Sequence, residues 1–155
     1  MDEKERNERM AVVAIAKTWI GTPYHGEARI RGVGADCATM VAEVYMEAGL
    51  IPRFDIEHYP QDWHLHKGEE RYLSKALSYA REVEGPPLPG DVVLWRFGRC
   101  FSHGAIVVQW PQIIHAYVGR VCTYDDGEAP WLNTIGENCE AQGRPRPRKF
   151  LSYWG

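Results

Sequence analysis

Four cysteines and six histidines are the residues of this 155-residue chain best suited to nucleophilic or metal-binding chemistry. The cysteines stand at 37, 100, 122 and 139. Cys37 differs from the others in its setting. Read as a helix from Asp36, the stretch that follows places Cys37, Met40, Val41, Val44, Tyr45 and Ala48 at i, i+3, i+4, i+7, i+8 and i+11, a single core-facing stripe. Asp36 suits the N-cap. A thiol in the first turn of a helix has its pKa lowered by the helix N-terminus, and a nearby imidazolium lowers it further. Gly32 and Gly34 would let a substrate backbone approach. The same stripe also suits a small buried hydrophobe, so Cys37 alone leaves both roles open.

The histidines divide by context. His25, His58, His64 and His66 fall in loop-like stretches, whereas His103 and His115 lie among apolar neighbours in strand-like runs. Side chains alternate faces along a strand. If the turn sets Ala105 opposite His115, then His103 and His115 share a face as diagonal neighbours about 7 Å apart. A slip of one residue separates them. The shared-face register needs an odd number of loop residues or a bulge. Given that register, Cys37 attacks, His103 takes its proton and His115 orients the His103 ring, a nucleophile–base–orienter arrangement. The rival use of these residue types is zinc, held by Cys100, His103, His115 and Cys122. No C-x-x-C pair and no H-E-x-x-H supports it, and no metal is expected.

Those residues need elements to position them. Residues 3–20 read as a helix with Val12, Ile15, Ala16 and Trp19 as its stripe, and 21–35 as a glycine-rich loop. The Cys37 helix spans 36–48. Residues 51–68 show no clean period and read as an ordered loop. A third helix is expected over 69–84, with Leu73, Ala76, Leu77 and Ala80 on one face. "GPPLPG" breaks the chain, and strands follow at 91–97, 103–110, 113–118 and 120–125. A last run, "KFLSYW", closes a sheet edge. Helices before an antiparallel meander make an α+β layout in one domain, 1–155.

Composition narrows the class. Apolar residues make up 45%, charged residues 25%, and the net charge is −3, so no nucleic-acid surface is indicated. The basic run "RPRPRK" at 144–149 reads as a solvated connector. No stretch reaches the ~18 apolar residues of a membrane span. "MDEKERNERM" is not a secretory signal, which suggests synthesis in the cytoplasm. The cysteines are too sparse for a disulfide framework and are expected to be free thiols.

The order "WIGTPYHG", "ADCATMV", "LPGDVVLWRF", "SHGAIVV", "IIHAY" resembles the NlpC-type branch of papain-like cysteine peptidases, over about residues 19–118. The resemblance implies a papain-like fold, its nucleophile helix packed on a C-terminal antiparallel sheet of about five strands. It implies an activity without cofactor: hydrolysis of peptidoglycan stem peptides, at the γ-D-glutamyl–diaminopimelate bond, through an acyl-enzyme. Carried over by position, Cys37 is the nucleophile, His103 the base and His115 the third catalytic residue. Tyr24 and Asp36 serve the oxyanion and substrate side, Tyr24 helping the Cys37 backbone N–H and Asp36 acting chiefly as helix cap. Asp91 shapes a turn. Members of the family usually carry a small residue and then glycine after the cysteine, where this chain has Ala38 and Thr39. The stretch "PQDWHLHKGEERYL" (60–73) is similar to small phage-tail and gene-transfer-agent proteins. That implies tail proteins as partners and delivery to the wall by a particle. Two alternatives stay open: a structural tail-tip protein with a vestigial site, docking through Phe54, Tyr59 and Trp63, and a thiol amidase or acyltransferase using the same residues.

Overall fold

A computed structural model describes residues 1–55, 70–136 and 143–155 of the chain. Its helices are α1 (Glu3–Thr18), α2 (Cys37–Glu47), α3 (Arg71–Leu77) and α4 (Pro130–Asn133). Its strands are β1 (Arg29–Ile30), β2 (Gly34–Ala35), β3 (Arg81–Val83), β4 (Val92–Phe97), β5 (Cys100–Gln109), β6 (Gln112–His115), β7 (Thr123–Asp126), β8 (Thr134–Ile135), β9 (Arg144–Pro145) and β10 (Arg148–Ser152). One antiparallel sheet of six strands, in the order β3-β10-β4-β5-β6-β7, carries the fold. The expected α+β layout holds, with the Cys37 helix packed on an antiparallel sheet. Among the described residues the sheet has one strand more than expected.

The extra strand comes from the expected third helix. That helix stops at Leu77, which is exposed. Residues 81–83 instead pair with β10, Val83 opposite Phe150 and Arg81 opposite Ser152, and the Glu82 carboxylate meets Lys149 Nζ at 2.9 Å. A strand edge that would otherwise lack partners outweighs helix propensity here. β10 therefore lies inside the sheet rather than closing its edge. The run 144–149 is not a solvated connector either. Arg144 and Pro145 pair with β8, Arg146 Nη1 donates to the Arg96 carbonyl, and the Arg146 guanidinium lies 3.8 Å from the Phe97 ring centre.

The sheet buries both faces. Val92, Leu94, Ile106, Ile114 and Leu151 pack against α1 and α2 through Val12, Ala16, Met40, Val44 and Tyr45. Val93, Trp95, Ala105, Val107 and Ile113 form a second cluster on the other face, closed by Leu132 of α4. Arg9 of α1 ties the layers together. It is buried, pairs with Asp91 at 2.8 Å, donates to the Pro89 carbonyl and stacks 4.1 Å from the Trp154 ring centre. Asp91 also accepts from Leu88 N, so the residue read as a turn former is at once a turn residue and a buried counter-ion. Removing one partner strands the other charge. Asp91→Ala is expected to lower unfolding free energy by about 3–5 kcal/mol, read as a fall in the denaturant midpoint.

Candidate active site

Asp36 builds the start of α2. Its Oδ1 accepts from Ala38 N at 3.0 Å and Thr39 N at 2.8 Å, and its own N–H donates to Thr39 Oγ1 at 2.8 Å, a capping box. Thr39 thus turns back onto the cap, fully buried, instead of reaching into the groove. Asp36 Oδ2 accepts from Glu27 N at 2.9 Å, which holds the glycine-rich loop to the helix. The rest of that loop is fastened to residues 120–122: Tyr24 N donates to Arg120 O, Cys122 N to Thr22 O, and Gly21 N to Cys122 O. These bonds explain why the strand expected at 120–125 begins only at Thr123. They also set Tyr24 beside Ala35 and on the wall of the Cys37 cavity.

The histidines take the shared-face register. Ile106 lies opposite Ile114 and Val107 opposite Ile113, a ladder that continues to Ala105 opposite His115. The turn itself has two residues, Trp110 and Pro111, an even number that alone would put the histidines on opposite faces. The register shifts between Val107 and Gln109, leaving Val108 unopposed, and this bulge restores the alignment. His103 Nε2 and His115 Nδ1 lie 2.8 Å apart and share a hydrogen bond. His115 Nε2 lies 3.0 Å from Asp125 Oδ2. His115 pairs with Thr123, so Asp125 is again the diagonal neighbour, one strand further on. His103, His115 and Asp125 step diagonally across β5, β6 and β7. Trp95 stacks on His103 at 5.7 Å, Tyr117 meets its edge at 5.1 Å, and Trp131 packs 5.9 Å from His115.

The thiol reaches this chain from the side. α2 covers one face of the sheet, while His103 and His115 point from the other, with Trp95 and Ile113. β5 runs past the end of β6, and there the Cys37 thiol donates to the Ser102 carbonyl at 3.3 Å, while the Gly104 backbone N–H favours its thiolate form. Cys37 is therefore hydrogen-bonded to the residue just before His103, at the open edge of β5. Cys37, Ser102, His103, Tyr24 and Tyr117 line one cavity of about 1010 Å³. Asp36 reaches its wall as well.

Burial sets the protonation of the pair. Desolvation, and then the Asp36 carboxylate, push the Cys37 thiol up to about 12, against the backbone N–H groups that favour a thiolate. Desolvation, then His115 and Arg146, hold His103 well below the usual histidine value. His115 is lowered by burial, with Asp125 opposing. The resting pair is a neutral thiol and a neutral imidazole. This corrects the expectation of a lowered thiol pKa at the helix N-terminus: desolvation at the cavity wall and, after it, the capping carboxylate outweigh the partial charge of the helix N-terminus. Alkylation of Cys37 by iodoacetamide is accordingly expected to rise about tenfold per pH unit from 7 to 10, and Asp36→Asn to speed it. An inflection below pH 8.5 would contradict this protonation state.

Three neighbours were not singled out from the sequence. Asp125 ends the predicted strand 120–125, and its diagonal relation to His115 was the available signal. Tyr72 of α3 donates to the Cys37 carbonyl at 3.2 Å. A Cβ on Gly104 would run into the Tyr72 hydroxyl and lie 2.8 Å from Leu94 Cδ2, so any larger residue there would have to displace Tyr72 or Leu94. Trp131 had no local signal, because α4 is too short to show periodicity. Among the described residues no three His, Cys, Asp or Glu side chains converge as a metal site. Cys100 and Cys122 are buried, Cys122 within the α1–α2 core. Cys139, His58, His64, His66, Tyr59, Trp63 and residues 60–69 of the phage-tail-like stretch lie outside the described residues. Phe54 stacks on Tyr79 at 6.1 Å beneath Lys75. No helix among the described residues is long and apolar enough to cross a membrane.

No family model and no curated protein matches the sequence. Solved structures do. The NlpC/p60 domain of the peptidoglycan hydrolase SagA aligns at TM-score 0.56 and 22% identity, over 77% of this chain and 90% of that one. NlpC1 from Trichomonas vaginalis aligns at TM-score 0.61 and 18% identity, over 94% of this chain but 43% of its own. RipD from Mycobacterium tuberculosis, described as a non-catalytic NlpC/p60 domain protein adapted to peptidoglycan binding, aligns at TM-score 0.52 and 13% identity, over 94% and 96%. Arrived at from the sheet order, the Cys37 helix and these likenesses together, the fold of this chain is that of the NlpC/p60 domains.

Proposed function

We propose that the protein is a cysteine peptidase that cleaves peptidoglycan stem peptides, at the γ-D-glutamyl–diaminopimelate bond, with Cys37 as nucleophile, His103 as base and His115 as its orienter. The observation that carries this reading is the bond between His103 Nε2 and His115 Nδ1 at 2.8 Å. It occupies one ring nitrogen of His103 and leaves Nδ1 as the atom that can take a proton, on a residue that shares the cavity of Cys37. Substrate entering the cavity displaces water. The thiol proton passes to His103 Nδ1 as sulfur attacks the scissile carbonyl carbon. The oxyanion meets the Cys37 backbone N–H and the Tyr24 hydroxyl, which burial keeps protonated well above its usual range. His103 then gives its proton to the leaving amine, and water hydrolyses the thioester by the same route in reverse.

The resemblance of residues 60–73 to phage-tail and gene-transfer-agent proteins supports delivery to the wall by a particle, with other tail proteins as partners. A second reading, wall binding without cleavage, is favoured by one observation: the thiol is bonded to a main-chain carbonyl and held protonated by burial. Incubation with purified sacculi separates the two readings. The proposal expects soluble fragments whose masses report cleavage between D-glutamate and diaminopimelate; sedimentation of the intact protein with undigested sacculi would establish the binding reading instead.

A further inference from the structure

We infer that Asp125 is a positioning residue that sets the tautomer of both histidines, so that His103 presents a bare Nδ1 to Cys37. The inference deepens the peptidase reading and rests on it for its catalytic consequence. It is carried by the hydrogen-bond sequence along the diagonal. A carboxylate only accepts. Asp125 Oδ2, 3.0 Å from His115 Nε2, therefore calls for the hydrogen on that nitrogen. A neutral imidazole has one N–H, so His115 Nδ1 is a lone pair. Across 2.8 Å, that lone pair calls for the hydrogen on His103 Nε2. His103 Nδ1 is then a lone pair as well, the form a general base needs. The choice of tautomer is thus passed from β7 to β5 through two rings.

The carboxylate is itself held in place. Asp125 Oδ1 accepts from Asp126 N at 2.8 Å, which turns Oδ2 toward His115. Arg120, largely exposed, lies 3.8 Å from Oδ2. The rings cannot easily turn over. Trp95, Phe97 and Tyr117 surround His103, and Trp131 and Tyr117 flank His115. Burial keeps both imidazoles neutral, so the tautomer, and not the charge, is the variable Asp125 controls.

Asparagine at this position has a specific consequence. Its amide oxygen takes the Asp126 N–H, and its NH₂ faces His115 Nε2. The NH₂ donates, so His115 must carry its hydrogen on Nδ1, and His103 on Nδ1 too. The base is lost although no side chain has moved. Alanine removes the carboxylate without imposing the wrong tautomer. Asp125→Asn should therefore be the worse variant, by the logic that makes a wrong tautomer cost about 10⁴ in kcat.

The test is histidine ¹⁵N NMR on the full-length protein at pH 7.5, with kcat on a stem-peptide muropeptide as second readout. Wild type is expected to show Nε2–H on both His103 and His115. Asp125→Asn is expected to show Nδ1–H on both and to lose about 10³-fold or more in kcat, with Asp125→Ala losing less and Asp125→Glu recovering part. Wild-type His115 carrying its hydrogen on Nδ1 would overturn the inference, as would unchanged tautomers in the asparagine variant. The NMR readout needs no substrate. Expected tautomers in a protein that cleaves no muropeptide would sink the peptidase reading and leave the role of Asp125 standing.

Discussion

Replacing Cys37 by alanine, or His103 by glutamine, is expected to lower kcat on muropeptides by about 10⁴–10⁶-fold, with KM little changed. Both losses act on one step. Without sulfur no acyl-enzyme forms, and without the His103 ring the thiol keeps its proton, since burial holds its pKa near 12. Because the resting thiol is protonated, a helix N-terminus cannot substitute for the missing base. The two changes should be strongly non-additive: the double variant is expected to be scarcely worse than either single one. Cys37→Ala should not disturb folding, since Cys37 is half-buried at a cavity wall and the helix cap is made by Asp36 and Thr39 without it. Equal thermal midpoints for Cys37→Ala and wild type, beside the lost activity, would separate chemistry from packing.

Tyr24→Phe is expected to cost about 10²–10³-fold in kcat, again with little change in KM. Phenylalanine keeps the ring packing against the core and the backbone bonds from Tyr24 N to Arg120 O and from Ala35 N to Pro23 O. Only the hydroxyl is removed. A donor that meets the oxyanion but not the ground-state carbonyl affects the transition state alone. A rise in KM at constant kcat would instead make Tyr24 a substrate-binding side chain.

Much of this site was legible in the residues, and the limits have physical causes. The α2 stripe was readable because Met40, Val41, Val44 and Tyr45 all face one core. The position of Cys37 at its first turn followed from Asp36. The histidine register was reducible to two options but not to one, since it depends on Val108, a bulge with no sequence mark of its own. The third helix was overextended because β3 is stabilised by pairing with β10, some seventy residues away, which no local propensity encodes. The basic run 144–149 misled for a similar reason: Arg146 and Arg148 act through partners on β4, β8 and α4 and on Glu128, all remote in sequence. The protonation of Cys37 could not be read from helix position at all, because desolvation is a property of the assembled cavity. Thr39 illustrates the converse. It departs from the family's usual glycine, yet the box it closes with Asp36 is a local signal, spaced three residues apart, and sets the frame in which Cys37 sits.

The central claim is that Cys37 attacks a peptide carbonyl with His103 as its base, and capture of the acyl-enzyme tests it most directly. Wild-type protein mixed with a stem-peptide muropeptide, quenched in acid within milliseconds to seconds and weighed intact, is predicted to gain the mass of the acyl fragment, mapped to Cys37 and absent from Cys37→Ala. Product formed with no adduct on Cys37 at any time, and undiminished in Cys37→Ala, would contradict the account.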